Sequence, residues 1–288
     1  MANKNIKVLM IEFSEIKFDA RVFRSANSIG KFGFDVTLIM FSEFINKKET
    51  KKNEYFTSIV YPFHYKKDNK LLKITKAVIL ILKMWKDVLN TKAQVVHAHN
   101  LYFLIPTYIH HLIYNSKFIY DAHELHSKHH NESTYKGAFL NKVNYLYERF
   151  FIRKAEYIIQ ASDERADYIT KVFDVPKPIV INNFVYLEDV NKSKYYQEKF
   201  KIGKESKIIL YSGGIYGGGS RRIDKVLDAL ALLDSQNVFF VIVGFMNDLV
   251  KKKILSQINN LGIAERVKIL PPVNSNEVVK FASFSDIS

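Results

Sequence analysis

Residues 207–233 read KIILYSGGIYGGGSRRIDKVLDALALL, a buried-strand pattern followed by a glycine-rich turn and an amphipathic helix. Five of the eleven glycines in the chain lie between Gly213 and Gly219. Glycine lets backbone amides approach a ligand closely, and the start of the following helix offers unpaired N–H groups and a positive dipole end. Arg221 and Arg222 add donors that match phosphate oxygens. The turn therefore predicts a phosphate or diphosphate site, although a ligand-free glycine-rich connection would also explain the glycines alone.

The composition indicates a globular protein with room for two domains of ordinary size: 288 residues, 48% hydrophobic and 25% charged. Its apolar segments are interrupted by lysines, and the amino terminus leads directly into a strand pattern, so neither a membrane span nor a signal peptide is predicted. The absence of cysteine excludes disulfides, thiolate metal ligands and a cysteine nucleophile. These features favour a cytoplasmic enzyme.

The positive charge is unevenly distributed, since residues 46–92 hold twelve lysines and four acidic residues of a chain whose net charge is +14. Such a segment attracts nucleic acid, an acidic membrane or anionic substrates, or is simply a solvated lysine-rich surface. Its helix, predicted at Leu71–Leu89, is interpreted as a core helix that can also rest on an anionic membrane. In a later helix, Glu148 and Arg153 are interpreted as part of a solvated face.

Apolar runs alternate with helical patterns along the chain, which predicts successive βα units and an α/β fold of parallel sheets. We predict a Rossmann-like doubly wound domain at residues 1–186, a polar linker at 187–207 and a second, incomplete Rossmann-like domain at 208–288. A further strand is expected to begin in the final segment SFSDIS. The predicted strands are Lys7–Phe13, Val36–Phe41, Ser58–Pro62, Gln94–Ala98, Lys117–Asp121, Tyr157–Ala161, Pro178–Ile181, Ile208–Ser212, Val238–Val243 and Val267–Leu270.

Ligands of open parallel sheets bind beyond the carboxyl ends of the strands, which selects candidate residues. Of the two histidines at the end of the Gln94–Ala98 strand, we expect only one to face this edge and favour His99 over His97. The histidine-rich segment that follows Lys117–Asp121 fits no closed zinc motif, so no metal site is predicted. The candidates at this edge are Ser14, Glu15, Lys17, Asp19 and Arg21 after the first strand, His97, His99 and Asn100 after the fourth, and Asp121, His123 and Glu124 after the fifth.

Four segments in the same order resemble the retaining glycosyltransferases of the GT-B fold, close to glycosyltransferase family 4. They are DARVFRSANSIGKFGFDVTLI, VVHAHN, IYDAHEL and VKILPPVNSNEVVKFASFSDIS. The resemblance runs from about Ile6 to Ser288. It implies that the first domain binds the acceptor and the second binds a nucleotide-diphosphate sugar, with no metal or other cofactor.

The resemblance also implies roles for individual residues. Gly213 and Gly214 match the turn that holds the diphosphate, and Arg222, with its neighbour Arg221, matches the basic position that follows. His123 matches the catalytic-site histidine that contacts the transferred sugar. Asp19 and Arg21 match a motif near the acceptor, and His99, Asn100 and Glu124 are expected on the same side.

The function expected from this resemblance is transfer of a sugar, with retention, to a glycan or lipid-linked acceptor in cell-surface polysaccharide or glycolipid synthesis. A cytoplasmic location, with association at the inner membrane face left open, is expected. Because the family's Glu-x7-Glu segment and closing helix do not occur in the sequence, we expect a truncated and inactive chain. A non-catalytic binding or scaffold protein of the same fold is the alternative. A nucleic-acid-binding protein is less favoured, because no reader motif occurs.

Overall fold

The computed structural model of the protein describes residues 6–15, 19–64, 69–122, 134–184, 193–215, 222–273 and 277–288. The chain divides into two compact units, Met1–Phe184 and Val185–Ser288. The boundary falls close to the start of the linker predicted at 187–207. Each unit is an α/β sheet structure, as the alternation of apolar runs and helical patterns predicts.

The first unit contains an eight-stranded sheet in the order β3-β4-β2-β1-β5-β6-β7-β8. Strand β3 pairs antiparallel with β4, and the other pairs in this sheet are parallel. The strands are β1 Lys7–Glu15, β2 Asp35–Ser42, β3 Glu49–Lys52, β4 Phe56–Pro62, β5 Val95–Ala98, β6 Lys117–Asp121, β7 Tyr157–Gln160 and β8 Ile179–Val180.

Helices cover both faces of this sheet, because successive side chains of a buried strand point to opposite faces. Val8 and Met10 of β1 belong to a core cluster that includes Val22 and Ala26 of α1. Leu9 belongs to a larger cluster on the other face, which takes in residues of the next four helices. The helices of this unit are α1 Ala20–Lys31, α2 Lys70–Asn90, α3 Leu104–Tyr114, α4 Tyr135–Ile152 and α5 Asp163–Phe173.

The second unit has a three-stranded parallel sheet in the order β11-β10-β9. In the final segment, where a further strand is predicted to begin, Ile287 forms an isolated parallel bridge with Ile209 of β9. Core clusters lie on both faces of the sheet. The elements are α6 Tyr195–Phe200, β9 Lys207–Ser212, α7 Ile223–Ala231, β10 Val238–Val243, α8 Asp248–Asn260, β11 Val267–Leu270 and α9 Val278–Ser283.

Two of the strands and α-helices named above, β3 and α6, were not predicted from sequence. Strand β3 has the sequence ETKK and is exposed throughout, so it lacks the apolar run on which strand prediction depends. Helix α6 lies in the segment predicted as a polar linker, and its Tyr196 is fully buried beside Ile208 and Val241. Pairing with β4 decides the first element, and packing of Tyr196 into the core decides the second.

The interpretation of Glu148 as part of a solvated helix face is wrong. Glu148 is buried in α4, and its Oε1 accepts a hydrogen bond of 2.8 Å from the Tyr120 hydroxyl. Burial raises the pKa of the Glu148 carboxyl to about 7. Arg153, which directly follows α4, donates to the Phe173 carbonyl at 2.9 Å, so it holds the ends of α4 and α5 together.

Candidate functional site

An ion-pair network lies at the carboxyl edge of the first unit's sheet, where β1, β5 and β6 are adjacent. The centre of the network is Asp121, the last residue of β6, which is 3% exposed. Its Oδ1 accepts a hydrogen bond of 2.7 Å from the Arg21 guanidinium in the first turn of α1. Its Oδ2 lies 3.4 Å from Nδ1 of His99 and 3.9 Å from Nε2 of His97. Three side chains, one from α1 and two from the end of β5, therefore share the Asp121 carboxylate.

The expectation that only one of the two histidines faces this edge is wrong. Residues two apart in a strand lie on the same face of a sheet, since the side-chain period is two. The rings of His97 and His99 accordingly stack, with centroids 3.9 Å apart and planes inclined by 30°. Both side chains are buried and both face Asp121.

Glu12 of β1 lies at the same edge and was not selected from sequence. Its Oε1 accepts hydrogen bonds from the Phe13 amide at 2.6 Å and from Asn100 Nδ2 at 3.2 Å. Burial, with the Asp19 carboxylate nearby, raises the pKa of the Glu12 carboxyl well above its ordinary value. Its position in the sequence offered one signal, a carboxylate within the apolar run KVLMIEF near the end of a predicted strand. An acidic residue is rarely buried in such a run unless it has partners.

Asp19 and Asn100 have local structural partners as well as positions at the edge. Asp19 is the N-cap of α1, where its carboxylate accepts from the Val22 amide at 3.2 Å and from the Ser14 hydroxyl at 2.7 Å. Asn100 Oδ1 accepts from the Tyr102 amide at 3.2 Å and so caps the short helical turn before α3. These bonds fix the chain where it leaves β1 and β5.

His97, His99 and Asp121 have the ligand types of a metal site, and their potential donor atoms lie within 4.8 Å of one another. The Arg21 guanidinium, however, already supplies a positive charge to Asp121. A divalent cation bound there would be repelled by this neighbouring charge. We therefore interpret the cluster as an ion-pair and hydrogen-bond network.

In the second unit, the first residues of the glycine-rich turn run beside the chain that leaves β10. The Gly213 amide donates to the Val243 carbonyl at 2.9 Å, and the Ile215 amide donates to the Phe245 carbonyl at 2.8 Å. Gly213 has φ +149°, a backbone conformation that favours glycine. A Cβ at Gly244 would lie 1.8 Å from the Gly213 carbonyl oxygen, so Gly244 is needed for this close approach. Gly244 was not selected from sequence.

Arg222 directly precedes α7 and has a left-handed backbone conformation, with φ +48°. Its guanidinium is exposed, and Nε lies 3.4 Å from the Asp224 carboxylate. An exposed ion pair of this kind is weak in water, so the guanidinium can exchange this partner for an anionic ligand. The predicted residues Lys17, His123, Glu124 and Arg221 lie outside the described residues. So do Gly217–Gly219 and the histidines at 126, 129 and 130.

Comparison with solved structures identifies the architecture as that of the GT-B glycosyltransferases. Sucrose-phosphate synthase from Thermosynechococcus elongatus matches with a TM-score of 0.75 at 13% identity, over 98% of this chain and 74% of that chain. HepE from Anabaena in complex with UDP-glucose matches with a TM-score of 0.66 at 15% identity, over 98% and 72% of the two chains. WaaG, a glycosyltransferase involved in lipopolysaccharide biosynthesis, matches with a TM-score of 0.62 at 14% identity, over 97% and 73%.

The sequence assigns the family within this fold. The sequence model of Glycosyltransferase Family 4 matches residues 21–189, which is more than half of the chain. The protein therefore belongs to glycosyltransferase family 4. A search of curated proteins gives no significant match.

Helix α2 is the longest of the helices that the structure describes. Within the described ranges, none is both long enough and apolar enough to cross a bilayer.

Proposed function

We propose that the protein is a retaining glycosyltransferase that moves a sugar from a nucleotide-diphosphate sugar to a glycan or lipid-linked acceptor, in synthesis of a cell-surface polysaccharide or glycolipid. The observation that carries the proposal is the family match over residues 21–189. The similar folds of HepE, solved with UDP-glucose, and of WaaG, involved in lipopolysaccharide biosynthesis, support the donor class and the pathway.

The second unit is proposed to bind the donor diphosphate at Gly213, Gly214, Arg221 and Arg222. The support is the close approach of backbone at the end of β9, together with the exposed guanidinium at the start of α7. Amides and a helix N-terminus favour an anion at this position, and a guanidinium matches two phosphate oxygens. The reaction needs no metal if these groups stabilise the charge that develops on the leaving diphosphate.

The first unit is proposed to hold the acceptor near Asp19, Arg21, His99, Asn100 and Glu124, with His123 contacting the transferred sugar. The sequence places His123 two residues beyond Asp121, which ends β6 in the buried network. In the transfer, the acceptor oxygen bonds to the anomeric carbon while the bond from that carbon to the diphosphate oxygen breaks. The leaving phosphate takes the electron pair and accepts the acceptor's hydroxyl proton.

Calorimetric titration of the protein with UDP-, GDP- and ADP-sugars tests the proposal. We expect one nucleotide series to bind, and the corresponding nucleotide diphosphate to compete with the sugar. Turnover measured with the bound sugar and a panel of glycan and lipid-linked acceptors separates an enzyme from a scaffold protein. Failure of every nucleotide-sugar to bind would overturn the proposed function.

We also propose a cytoplasmic location with peripheral association at the inner face of the plasma membrane. The support is α2, on which Leu71, Ile74 and Val78 are exposed between lysines. Basic, apolar surfaces of this kind bind anionic bilayers. Co-sedimentation with vesicles of phosphatidylglycerol and phosphatidylcholine tests this association, and charge reversal at Lys73, Lys76 and Lys83 should weaken it. Equal sedimentation of variant and wild type would contradict membrane association.

A further inference from the structure

Helix α4 carries large apolar side chains on the side that faces away from the sheet. Asn141, Glu148 and Ile152 are buried, so they mark the side of the helix that packs on the sheet. On the opposite side, five large apolar residues follow one another at intervals of four, four, three and four residues. Each residue of this row, the α4 stripe, is at least 45% exposed: Tyr135, Phe139, Val143, Leu146 and Phe150. Monomeric proteins rarely expose a continuous apolar surface of this kind unless it binds a partner.

The apolar surface continues from α4 onto the neighbouring helix α3. Both helices contribute to the core cluster on one face of the sheet and pack against each other there. The Tyr108 ring of α3 lies 6.4 Å from the Phe150 ring of the α4 stripe, measured between ring centres. Leu112, one turn after Tyr108, and Ile113 are 64% and 59% exposed. The outward surface of these two adjacent helices is therefore largely apolar.

The charges on the two helices indicate the kind of partner. Lys142 and Arg149 are exposed beside the α4 stripe and, being seven residues apart, lie on one flank of it. Among the described residues of α3 and α4, the one acidic side chain is Glu148, which is buried and bonded to Tyr120. A second copy of the chain seated on the stripe would bring the cationic flanks of the two helices together, which disfavours self-association. Exposed aromatic and aliphatic side chains beside cations suit the interface of an anionic bilayer.

We infer that the α4 stripe inserts into the interfacial region of an anionic membrane, with Phe139 and Leu146 at its centre. Lys142 and Arg149 keep their charged groups at the lipid headgroups, while their apolar stems lie along the inserted side chains. The inference rests on the proposed peripheral association and names its apolar contact. Helix α2 packs on the other side of α3 and covers the same face of the sheet, so one bilayer contacts both helices. The lysines of α2 attract the surface, and insertion of α4 removes apolar area from water.

A site-specific fluorophore tests the insertion directly. The chain contains no cysteine, so one introduced cysteine carries a nitrobenzoxadiazole dye at a known position. We compare Phe139→Cys with Phe32→Cys, because Phe32 is even more exposed, at 79% against 58%, and follows α1 on the other face of the sheet. On vesicles of phosphatidylglycerol and phosphatidylcholine, emission from position 139 should shift to shorter wavelength, and emission from position 32 should not change. An equal response at both positions, or none at position 139 while the protein sediments with the vesicles, would overturn the inference.

Two double variants with the same chemical change measure the contribution of the stripe to binding. Phe139→Ser with Leu146→Ser should lower the affinity for these vesicles about tenfold or more, because two large apolar side chains no longer leave water. Phe32→Ser with Leu232→Ser removes the same two residue types at positions that are 79% and 83% exposed outside the stripe, and should leave the affinity unchanged. Equal weakening by both variants would overturn the inference, and circular dichroism checks that both fold.

Salt separates insertion from surface attraction. Ions screen the interaction of exposed lysines with lipid headgroups but do not screen the burial of apolar area. The ratio of wild-type affinity to that of Phe139→Ser with Leu146→Ser should therefore persist as sodium chloride is added. The effect of charge reversal at Lys73, Lys76 and Lys83 should shrink in the same series. A ratio that falls to one at high salt would overturn insertion of the stripe.

The outcomes distinguish this inference from the proposals on which it rests. If charge reversal in α2 weakens sedimentation and the α4 double variant does not, insertion is wrong and peripheral association stands. If the wild type does not sediment, both are wrong, and the glycosyltransferase proposal is still decided by nucleotide-sugar titration. If light scattering without vesicles shows a dimer that Phe139→Ser with Leu146→Ser abolishes, a second copy covers the stripe and the inference is overturned.

Discussion

The Arg21 guanidinium and the Asp121 carboxylate, 100 residues apart in sequence, form a hydrogen-bonded ion pair of 2.7 Å. The pair joins the first turn of α1 to the end of β6, so it connects two strand ends of the candidate acceptor site. Both side chains are largely buried, and the two histidines of the network face the other carboxylate oxygen. Removing one partner would leave a poorly solvated charge without compensation.

We therefore expect Asp121→Asn to lower the free energy of unfolding by about 3 kcal/mol. Urea denaturation followed by circular dichroism measures the change. The matched control is Glu156→Gln, which removes an exposed ion pair of 2.8 Å with Lys117. Lys117 begins β6, the strand that Asp121 ends. This control should change stability by less than about 1 kcal/mol. Comparable losses in the two variants would contradict the buried network.

Gly244→Ala is expected to destabilise the second unit, because the added Cβ would lie 1.8 Å from the Gly213 carbonyl oxygen. The ends of β9 and β10 would have to separate, at a cost of about 3 kcal/mol. We expect Gly244→Ala also to weaken nucleotide-sugar binding, since Gly213 begins the proposed diphosphate turn. Gly203→Ala is the control: its Cβ would meet only the Ser206 hydroxyl at 3.4 Å. Thermal unfolding with and without the nucleotide-sugar measures both the stability and the binding. A melting profile of Gly244→Ala equal to that of the wild type would refute the close approach of the two backbones.

Glu148 predicts a pH dependence of stability. Its pKa is raised from 4.5 to about 7 by burial, so the folded state binds the proton more tightly than the unfolded state. The stabilisation that this proton contributes is complete below the pKa of the unfolded state. It is lost as the pH rises through the pKa of the folded state, about 7. Glu148→Gln keeps an acceptor for Tyr120 and cannot ionise. The difference in free energy of unfolding between Glu148→Gln and the wild type should shift in favour of the variant by roughly 3 kcal/mol as the pH rises from about 4.5 to 8.

Urea denaturation at several pH values measures this difference. Glu205→Gln serves as the control, because Glu205 is almost fully exposed. The plot of unfolding free energy against pH for this variant should run parallel to that of the wild type. A constant difference between Glu148→Gln and wild type across this pH range would contradict the raised pKa. Burial also raises the pKa of Glu12, so part of the wild-type pH dependence should remain in the Glu148 variant.

In a version of the protein that carries the family's Glu-x7-Glu segment, Arg222→Ala is expected to lower the turnover of the proposed transfer by a factor of about a hundred, the effect of losing one donor that stabilises developing charge. Lys207→Ala is the control, since Lys207 is a cation at the amino end of β9, where its ammonium lies 3.2 Å from Asp286. Initial rates with a saturating donor measure both variants. Wild-type turnover of Arg222→Ala would remove Arg222 from the proposed mechanism.

Long apolar runs made much of the fold predictable. The bounds of β6, β10 and β11 agree with those predicted from sequence. Their sequences, KFIYD, VFFVIV and VKIL, are short and mostly apolar, which is typical of strands. Strand β3 and helix α6 could not be predicted in this way. The first is polar and depends on its pairing with β4, and the second depends on Tyr196 entering the core of the second unit.

The candidate site was predictable only in outline. The rule that ligands bind at the carboxyl ends of parallel strands selected Arg21, His99 and Asp121, which the structure brings together. It did not select Glu12, because a strand pattern alone does not tell whether a carboxylate is buried. A cavity beside α2 is lined by Lys48 of the connection before β3 and by Lys76 and Lys83 of the helix, so its lysines appeared in the sequence only as a general excess of charge.

The sequence by itself determined the α/β class and its family, because hydrophobic periodicity and the order of short motifs are properties of the chain alone. Only the tertiary structure decided which charged groups are buried together and which lysines surround one cavity. The physical reason is that burial and electrostatic coupling depend on distances of a few ångströms between segments that folding alone brings together.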